Sequence, residues 1–597
     1  NNNRFSTSLA FINTKTNKLF GKDININLNN KSFNKDNEPR LKGNSVINDS
    51  NSTEITKGIF TTCKKRKDDK CPPWQISAKK IQHNKKDKTM YYDEAWLKVY
   101  DLPVMYFPKF FHPDPNVKRR SGFLIPTFKS SSNTSNYLNL PYFLAIADHK
   151  DATFSPRFYD EDQLLLQTEY RQVGPKSNHI SDFSFFAKKN DKDKNHFFYE
   201  YQKNFNINIF QDSNFDFKIQ QTSNDTYLKA NKFESEIIDD TNVLENSFKL
   251  NLYSNDLSID AEMTAYEDLN ESNSDRFEFI LPKLDLVKKI NNDSNLNGDL
   301  TFKSSNLVRN YNTNIFEKKN VNDLLFSSFP KITNMGFYNN YDLLLKNSNT
   351  DSQKSENYIE GDKYYLSGLF QFNSSLPLIK ENNLYQNILK PKISLKISPN
   401  NTKDISKQTS KVDVNNIYGL NRISENDTIE GGISITYGND YSIFNKKRSK
   451  EVFNLKIANN LRFEENNDLQ KNDQLNQKTS SIFSEIVYSP IDYLTTKYNS
   501  SVKNNLSEIN YENLIAEITL NKFVTTFDYL NEKNIDNGNS YLTNSTKYLI
   551  NDSNSIGFST RENKTSDLTE YYNLIYQYKN DCLSASIEYN KDYYTDR

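Results

Sequence analysis

Long apolar runs are missing from this chain. No segment approaches the roughly 20 consecutive apolar residues that a spanning helix needs, which excludes a helical membrane protein but not a β-barrel, whose strands need only about 10 residues of alternating character. Net charge is also missing, with 76 basic against 76 acidic residues, and this disfavours a nucleic-acid binder. Histidine is scarce, five in 597 residues, and no nucleophile elbow, phosphate loop or HExxH pattern is present. Nothing in the sequence therefore argues for an enzyme or implies a cofactor. The three cysteines, Cys63, Cys71 and Cys582, have neither zinc nor CxxC redox spacing, so no metal is expected. No fixed repeat period is found, against a secreted β-solenoid or adhesin. The chain opens on Asn1 without an initiator Met or signal peptide and is expected to be a mature chain or a fragment.

What is present is alternation. Hydrophobic content of 35% and a mean hydropathy of −0.82 look soluble or disordered, but 13% aromatic residues are too many for a disordered chain. Residues 1–98 carry short runs such as Ile24, Ile26 and Leu28, then Trp74, Ile76 and Ala78, then Ala95, Leu97 and Val99, which predict short strands of a β-jelly-roll. From Phe123 onward longer runs recur. Tyr364, Leu366, Phe370 and Phe372 form one apolar face; Leu514, Ala516, Ile518 and Leu520 another; Tyr572, Leu574, Tyr576 and Tyr578 a third. In the last run Leu583, Ala585, Ile587 and Tyr589 oppose Cys582, Ser584, Ser586 and Glu588, which puts Cys582 on the lumen side of a lipid-embedded strand. The loops Asn400–Asn415 and Glu464–Lys478 are polar and are expected to be exposed. The fold class that follows is all-β: residues 1–102 a β-jelly-roll, 103–122 a connector, and 123–597 an antiparallel barrel of about 24–26 strands.

The stretch from Pro103 to Ala147 is where two signals conflict. It holds Pro103, Pro108, Pro113, Pro115, Pro126 and Pro141, yet Leu138, Leu140, Tyr142, Leu144 and Ile146 share one strand face. Pro126 and Pro141 give no N–H to a ladder, so a seam with thinned hydrogen bonding is expected there. Lys118, Arg119 and Arg120 have the shape to meet lipid phosphates, although anchoring the barrel rim is the favoured role. His112 and Asp114, set among prolines, read as a turn.

This stretch resembles the outer-membrane lipopolysaccharide-assembly family (LptD, also called OstA or Imp). The resemblance lies in Pro103, Tyr106, Pro108, the run His112–Pro126 (HPDPNVKRRSGFLIP), Leu140–Phe143 and Ile146–Ala147, and again in Gly419–Ile423 (GLNRI) with Gly431, Gly432 and Ser434. It implies a cell outer-membrane translocon with its N-terminal domain in the periplasm, a jelly-roll interior that receives acyl chains, and lipopolysaccharide leaving through a lateral gate between first and last strands, at Pro126 and Pro141. It also implies that residues 1–102 are only the later part of the jelly-roll and that the barrel is incomplete at its C-terminal end, and it implies a plug lipoprotein (LptE) and a periplasmic bridge protein (LptA) as partners. The family has disulfides between its N-terminal domain and adjacent late cysteines; Leu583 follows Cys582 here, and Cys63–Cys582 is the expected bond, with Cys63–Cys71 or three free thiols left open. An outer-membrane porin or nutrient-uptake barrel is the alternative function.

Overall fold

A computed structural model describes residues 4–28, 38–65, 72–113, 117, 119–124, 126–129, 136–160, 163–188, 192–290, 297–408, 411–423, 425–533, 538–580 and 582–592. Cys71, Asp114 and Lys118 lie outside the described residues. The chain builds two antiparallel sheets, β1–β8 over residues 4–113 and β9–β37 over residues 122–592.

The first sheet is a meander from β3 (Lys18–Asn27) through β4 (Arg40–Asn48), β5 (Ser52–Thr61), β6 (Trp74–Asn84) and β7 (Thr89–Val99) to β8 (Leu102–Pro113), with β1 (Arg4–Ser6) and β2 (Leu9–Asn13) both on β3. Strict alternation does not survive along these strands. Asp23, Lys57 and Glu94 take positive φ in β3, β5 and β7, and the pairing skips a position beside each. These interruptions fall in alternate strands, and the register is the same on both sides of each. Their inward residues, Ile24, Ile26, Ile55, Phe60, Ala78, Ile81, Tyr92 and Ala95, then enclose one apolar core. Across Glu94, with its positive φ, the inward set moves from Met90 and Tyr92 to Ala95, while Leu97 and Val99 remain outside this core. Residues 103–113, expected as connector, instead form most of β8. Its three prolines are tolerated because β8 is a sheet edge, where fewer N–H groups are needed.

The second sheet has 29 segments. Four of them continue a neighbour along the same wall strand: β10 (Thr127–Lys129) continues β9 (Gly122–Phe123), β12 (Tyr142–Ala147) continues β11 (Tyr137–Asn139), β23 (Lys331–Ile332) continues β22 (Ile315–Ser328) and β26 (Leu378–Glu381) continues β25 (Lys363–Ser375). Joining these leaves about 25 wall strands among the described residues, within the size expected of a large barrel. The wall has two chemically distinct faces. Leu164 and Leu166 of β14 (Gln163–Val173), Tyr364 and Leu366 of β25 (Lys363–Ser375), and Leu574 and Tyr576 of β36 (Leu568–Lys579) are exposed on one face. Gln163, Gln167, Gln371 and Ser348 are buried on the other.

Connections sort by end. The long loops 223–242, 399–431 and 463–481 all lie at one end of the wall, and the β36–β37 turn at 580–583 lies at the other, where β9 begins. Two long loops differ from their expected exposure. Ile405, Val412 and Val414 in one, and Leu469, Gln470, Asp473 and Leu475 in the other, are buried. Sparse Ile, Val and Leu in an Asn-rich segment are enough to fold these loops inward onto Ala458 and Phe483 of the wall.

Candidate functional site at the seam

The strand order returns from β37 (Ser584–Asp592) to β9, which spans the two residues Gly122 and Phe123. Beside this seam, Pro126 separates β9 (Gly122–Phe123) from β10 (Thr127–Lys129), and Pro141 separates β11 (Tyr137–Asn139) from β12 (Tyr142–Ala147). Each proline thus falls at a break rather than inside a continuous strand. The first hairpin is held by two registered pairs in β9–β12 and three in β10–β11. Single bonds supplement them: Leu124 N donates to Pro141 O at 2.8 Å, and Ala145 N to the Ser121 hydroxyl at 2.9 Å. By contrast all 14 residues of β21 (Gly298–Tyr311) are paired with β22 (Ile315–Ser328). Phe123, Leu124 and Phe128 are exposed on the thin hairpin.

The first sheet grips both flanks of this seam. On the late flank, Cys63, fully buried after β5, is bonded to Cys582, with Cα atoms 5.2 Å apart across 519 residues of sequence. Cys582 lies in the turn before β37 and not in the strand, because Asn580 Oδ1 accepts from the Cys582 and Leu583 amides at 3.0 and 2.8 Å and holds the turn. Tyr100, in the β7–β8 turn, hydrogen-bonds through its hydroxyl to that of Tyr578. On the early flank, Arg120 donates to Asp87 O in the β6–β7 turn at 2.5 Å. Its neighbour Arg119 faces the barrel, pairing with Asp151, donating to Asp148 O at 2.7 Å and lying over the Phe143 ring. The two arginines that sequence grouped as one basic cluster thus serve opposite bodies. His112 is in β8, not a turn; its Nε2 is 2.7 Å from the buried Tyr92 hydroxyl.

Inside the wall stand two loop anchors; the sequence marked the GLNRI residues of the second only as a resemblance, and nothing in it marked the first. The first is a chain of hydrogen bonds under loop 223–242: Tyr227 Oη to Ser184 Oγ at 2.7 Å, Ser184 Oγ to His196 Nδ1 at 2.6 Å, and His196 Nε2 to Asp182 Oδ1 at 2.9 Å. All four residues are buried, and burial pushes the Tyr227 phenol up to about 12, so it remains a donor. A serine capped by tyrosine and sealed from solvent acts as a brace. The same loop reaches toward the seam, where buried Arg157 of β13 (Lys150–Tyr159) donates to Asn231 O and sits 5.2 Å from both the Tyr137 and Phe233 ring centres.

The second anchor contains the GLNRI residues. Arg422, with its side chain fully buried, donates through Nε to Glu430 Oε2 at 2.7 Å and through Nη1 to Thr436 Oγ1 at 2.8 Å. Arg462 also pairs with Glu430, and Lys396 approaches it at 3.4 Å. Burial alone raises the Glu430 carboxyl, but Arg422, Lys396 and Arg462 outweigh it and hold the group well below the usual carboxylate range. Gly431 is needed for approach, since a Cβ there would stand 2.1 Å from Asn400 O, and Gly432 has φ +88°. Asp473, in the neighbouring loop, accepts from Val412 N at 3.2 Å and Ser501 Oγ at 3.0 Å. Burial pushes it up to about 6.

Residues 194–565 match the family model for LPS transport system D. The chain is 31% identical over 172 residues to the LPS-assembly protein LptD of Idiomarina loihiensis, covering 28% of this chain and 22% of that protein. It is 32% identical over 146 residues to the LptD of Pseudomonas putida strain F1, covering 24% and 15%. Against the LptD of Nitrosococcus oceani it is 33% identical over 123 residues, covering 21% and 16%. The matched segments therefore span less than a quarter of each of these three relatives.

Proposed function

The chain belongs to the LPS transport system D family, and from that premise we propose that it is the outer-membrane barrel through which lipopolysaccharide is assembled into the outer leaflet. No covalent chemistry is required of it. The single observation that carries this reading is the contrast at the seam: a thin, proline-broken hairpin whose β9, the neighbour of β37, spans two residues, gripped on both flanks by the first sheet. Opening a full ladder in hydrocarbon would expose many unpaired backbone groups, each costing several kcal/mol. Opening this seam exposes few.

In this reading the short-turn end with Cys582 faces the periplasm and the long-loop end faces outward. Acyl chains travel over the apolar interior of the first sheet, leave sideways at Pro126 and Pro141, and the saccharide passes along the polar lumen. The edge at β1 and β2 carries exposed Phe5, Leu9, Phe11 and Ile12, suited to strand addition by a bridge protein such as LptA. A plug lipoprotein such as LptE enters the lumen from the short-turn end. Arg119 and Arg120 position the two bodies rather than bind phosphate. The test is a P126A/P141A double variant, whose added N–H donors lengthen the ladder. Delivery of lipopolysaccharide to the cell surface should fall while barrel abundance and the disulfide are unchanged; undiminished delivery would remove the seam from the mechanism.

A further inference from the structure

The outward face of the wall is apolar along most strands, and half-way round from the seam it carries a polar interruption. On β21, β22 and β24 (Tyr338–Gln353), six polar side chains share that face in two cross-strand rows: Ser304, Asn322 and Asn347, then Asn306, Asn320 and Asn349. Their direction follows from their strand neighbours Tyr341, Leu343, Leu345 and Leu324, exposed on the same face. Buried Leu344, Lys346 and Ser348 alternate with them on the lumen side.

The amides satisfy one another. Ser304 Oγ donates to Asn322 Oδ1 at 2.8 Å, Asn322 Nδ2 to Asn320 Oδ1 at 2.7 Å, Asn349 Nδ2 to Asn320 Oδ1 at 3.0 Å and to Asn347 Oδ1 at 2.8 Å. Mutual bonding lowers the cost of placing amides beside lipid. It also leaves a preorganised grid, because each asparagine offers two donors and two acceptor lone pairs. Both rows end on β25 at Leu366 and Tyr364, which are 74% and 75% exposed. Along β24 the rows stand beyond Leu343 and Leu345 toward the long-loop end.

We infer that this grid is a docking site for the saccharide headgroup of a glycolipid resident in the outer leaflet, whose acyl chains lie along Leu343, Leu345 and Leu324. Sugar hydroxyls are donors and acceptors at once, as these amides are, and the exposed Tyr364 ring offers a stacking face. The grid is uncharged, which favours a hydroxyl-rich partner over a bare phosphate, and exposed Lys318 on the same face of β22 adds one cation. Because the site is remote from the seam, its lipid is a bound neighbour and not cargo. The inference rests on the outer-membrane reading above.

The test uses the full chain in nanodiscs of phosphatidylethanolamine and phosphatidylglycerol with added lipopolysaccharide. A photo-crosslinking p-benzoylphenylalanine replaces Leu366, or Phe558 on the outward face of β35 (Asn554–Asn563) as a reference, or Phe123 at the seam. Adducts at 366 should exceed those at 558 and fall about tenfold, the equivalent of one or two lost hydrogen bonds, in an N320A/N322A/N347A/N349A background. Unchanged gel mobility and an intact Cys63–Cys582 bond establish that this variant is folded. They should also fall when lipid A without its saccharide extension replaces lipopolysaccharide. Equal labelling at 366 and 558, or protein–protein adducts from a second copy, would overturn the inference. Seam adducts at 123 with none at 366 would sink it alone; none at either position would sink the translocon reading as well.

Discussion

The hairpin β9–β12 and the wall β21–β25 are made by the same sheet from similar residues, yet they are built to opposite ends. The hairpin is broken at two prolines, carries two short sets of registered pairs and meets β37 through the two-residue β9. The far wall pairs along the whole of β21, and its lumen side is covered by Ile429 and Leu420 packed on Leu344, Leu369 and Leu325. The difference is backbone hydrogen bonding. Where the ladder is complete the wall is a fixed surface; where it is thinned, separation costs little and external clamps take over.

Those clamps give the sharpest ways to break the contrast. The largest effect is expected from Cys582→Ser. Losing a bond that closes 519 residues removes about 5–6 kcal/mol of loop-closure stabilisation in the chain-entropy view. The difference between reduced and non-reduced gel mobility should vanish, and the urea midpoint of the first sheet should fall. Next is Glu430→Ala, which leaves Arg422, Arg462 and Lys396 buried without their carboxylate. Breaking such a cluster costs about 3–5 kcal/mol, and loop 399–431 should become protease-sensitive with a rise in single-channel conductance.

A proline moved to the far wall tests whether position matters more than composition. Val308→Pro, in the fully laddered β21, should cost about 3 kcal/mol. Pro126→Ala at the seam should change stability by less than about 1 kcal/mol. Equal effects in urea unfolding would erase the distinction between the two regions.

The last effect concerns pH and loop 463–481. Asp473 is raised in the folded state to about 6, so the folded protein holds that proton more tightly than the unfolded chain does. Stability from this group is fully present below about pH 4 and lost as pH rises through 6, by about 2–3 kcal/mol. Protection factors in loop 463–481, which remove the intrinsic pH dependence of exchange, should therefore be higher at pH 5 than at pH 7.5, and Asp473→Asn should flatten that dependence.

The outward face was legible in sequence because lipid-facing residues repeat every second position: Tyr364, Leu366, Leu574 and Tyr576 stand where alternation put them. The breaks in alternation within the first sheet were not. Asp23, Lys57 and Glu94 look like ordinary polar strand residues, and only their positive φ reveals that alternation changes phase there. The buried loops were missed for a related reason, since Ile405, Val412 and Leu475 follow no period and the surrounding Asn and Lys dominate any window average. Ser184, His196 and Tyr227 are spread over 43 positions, and only strand pairing brings them together. The Cys63–Cys582 bond came from family resemblance, as spacing alone left three outcomes open.

Arg119 and Arg120 are consecutive, and their side chains hold opposite bodies. No slack segment lies between those grips. A tilt of the first sheet about its disulfide is therefore delivered as torque on the Asp148–Asp151 turn, at the base of the strand beside the thin hairpin. The pair works as a short lever whose fulcrum is the chain itself, and lengthening it by even a few inserted glycines would let the first sheet move without the wall responding.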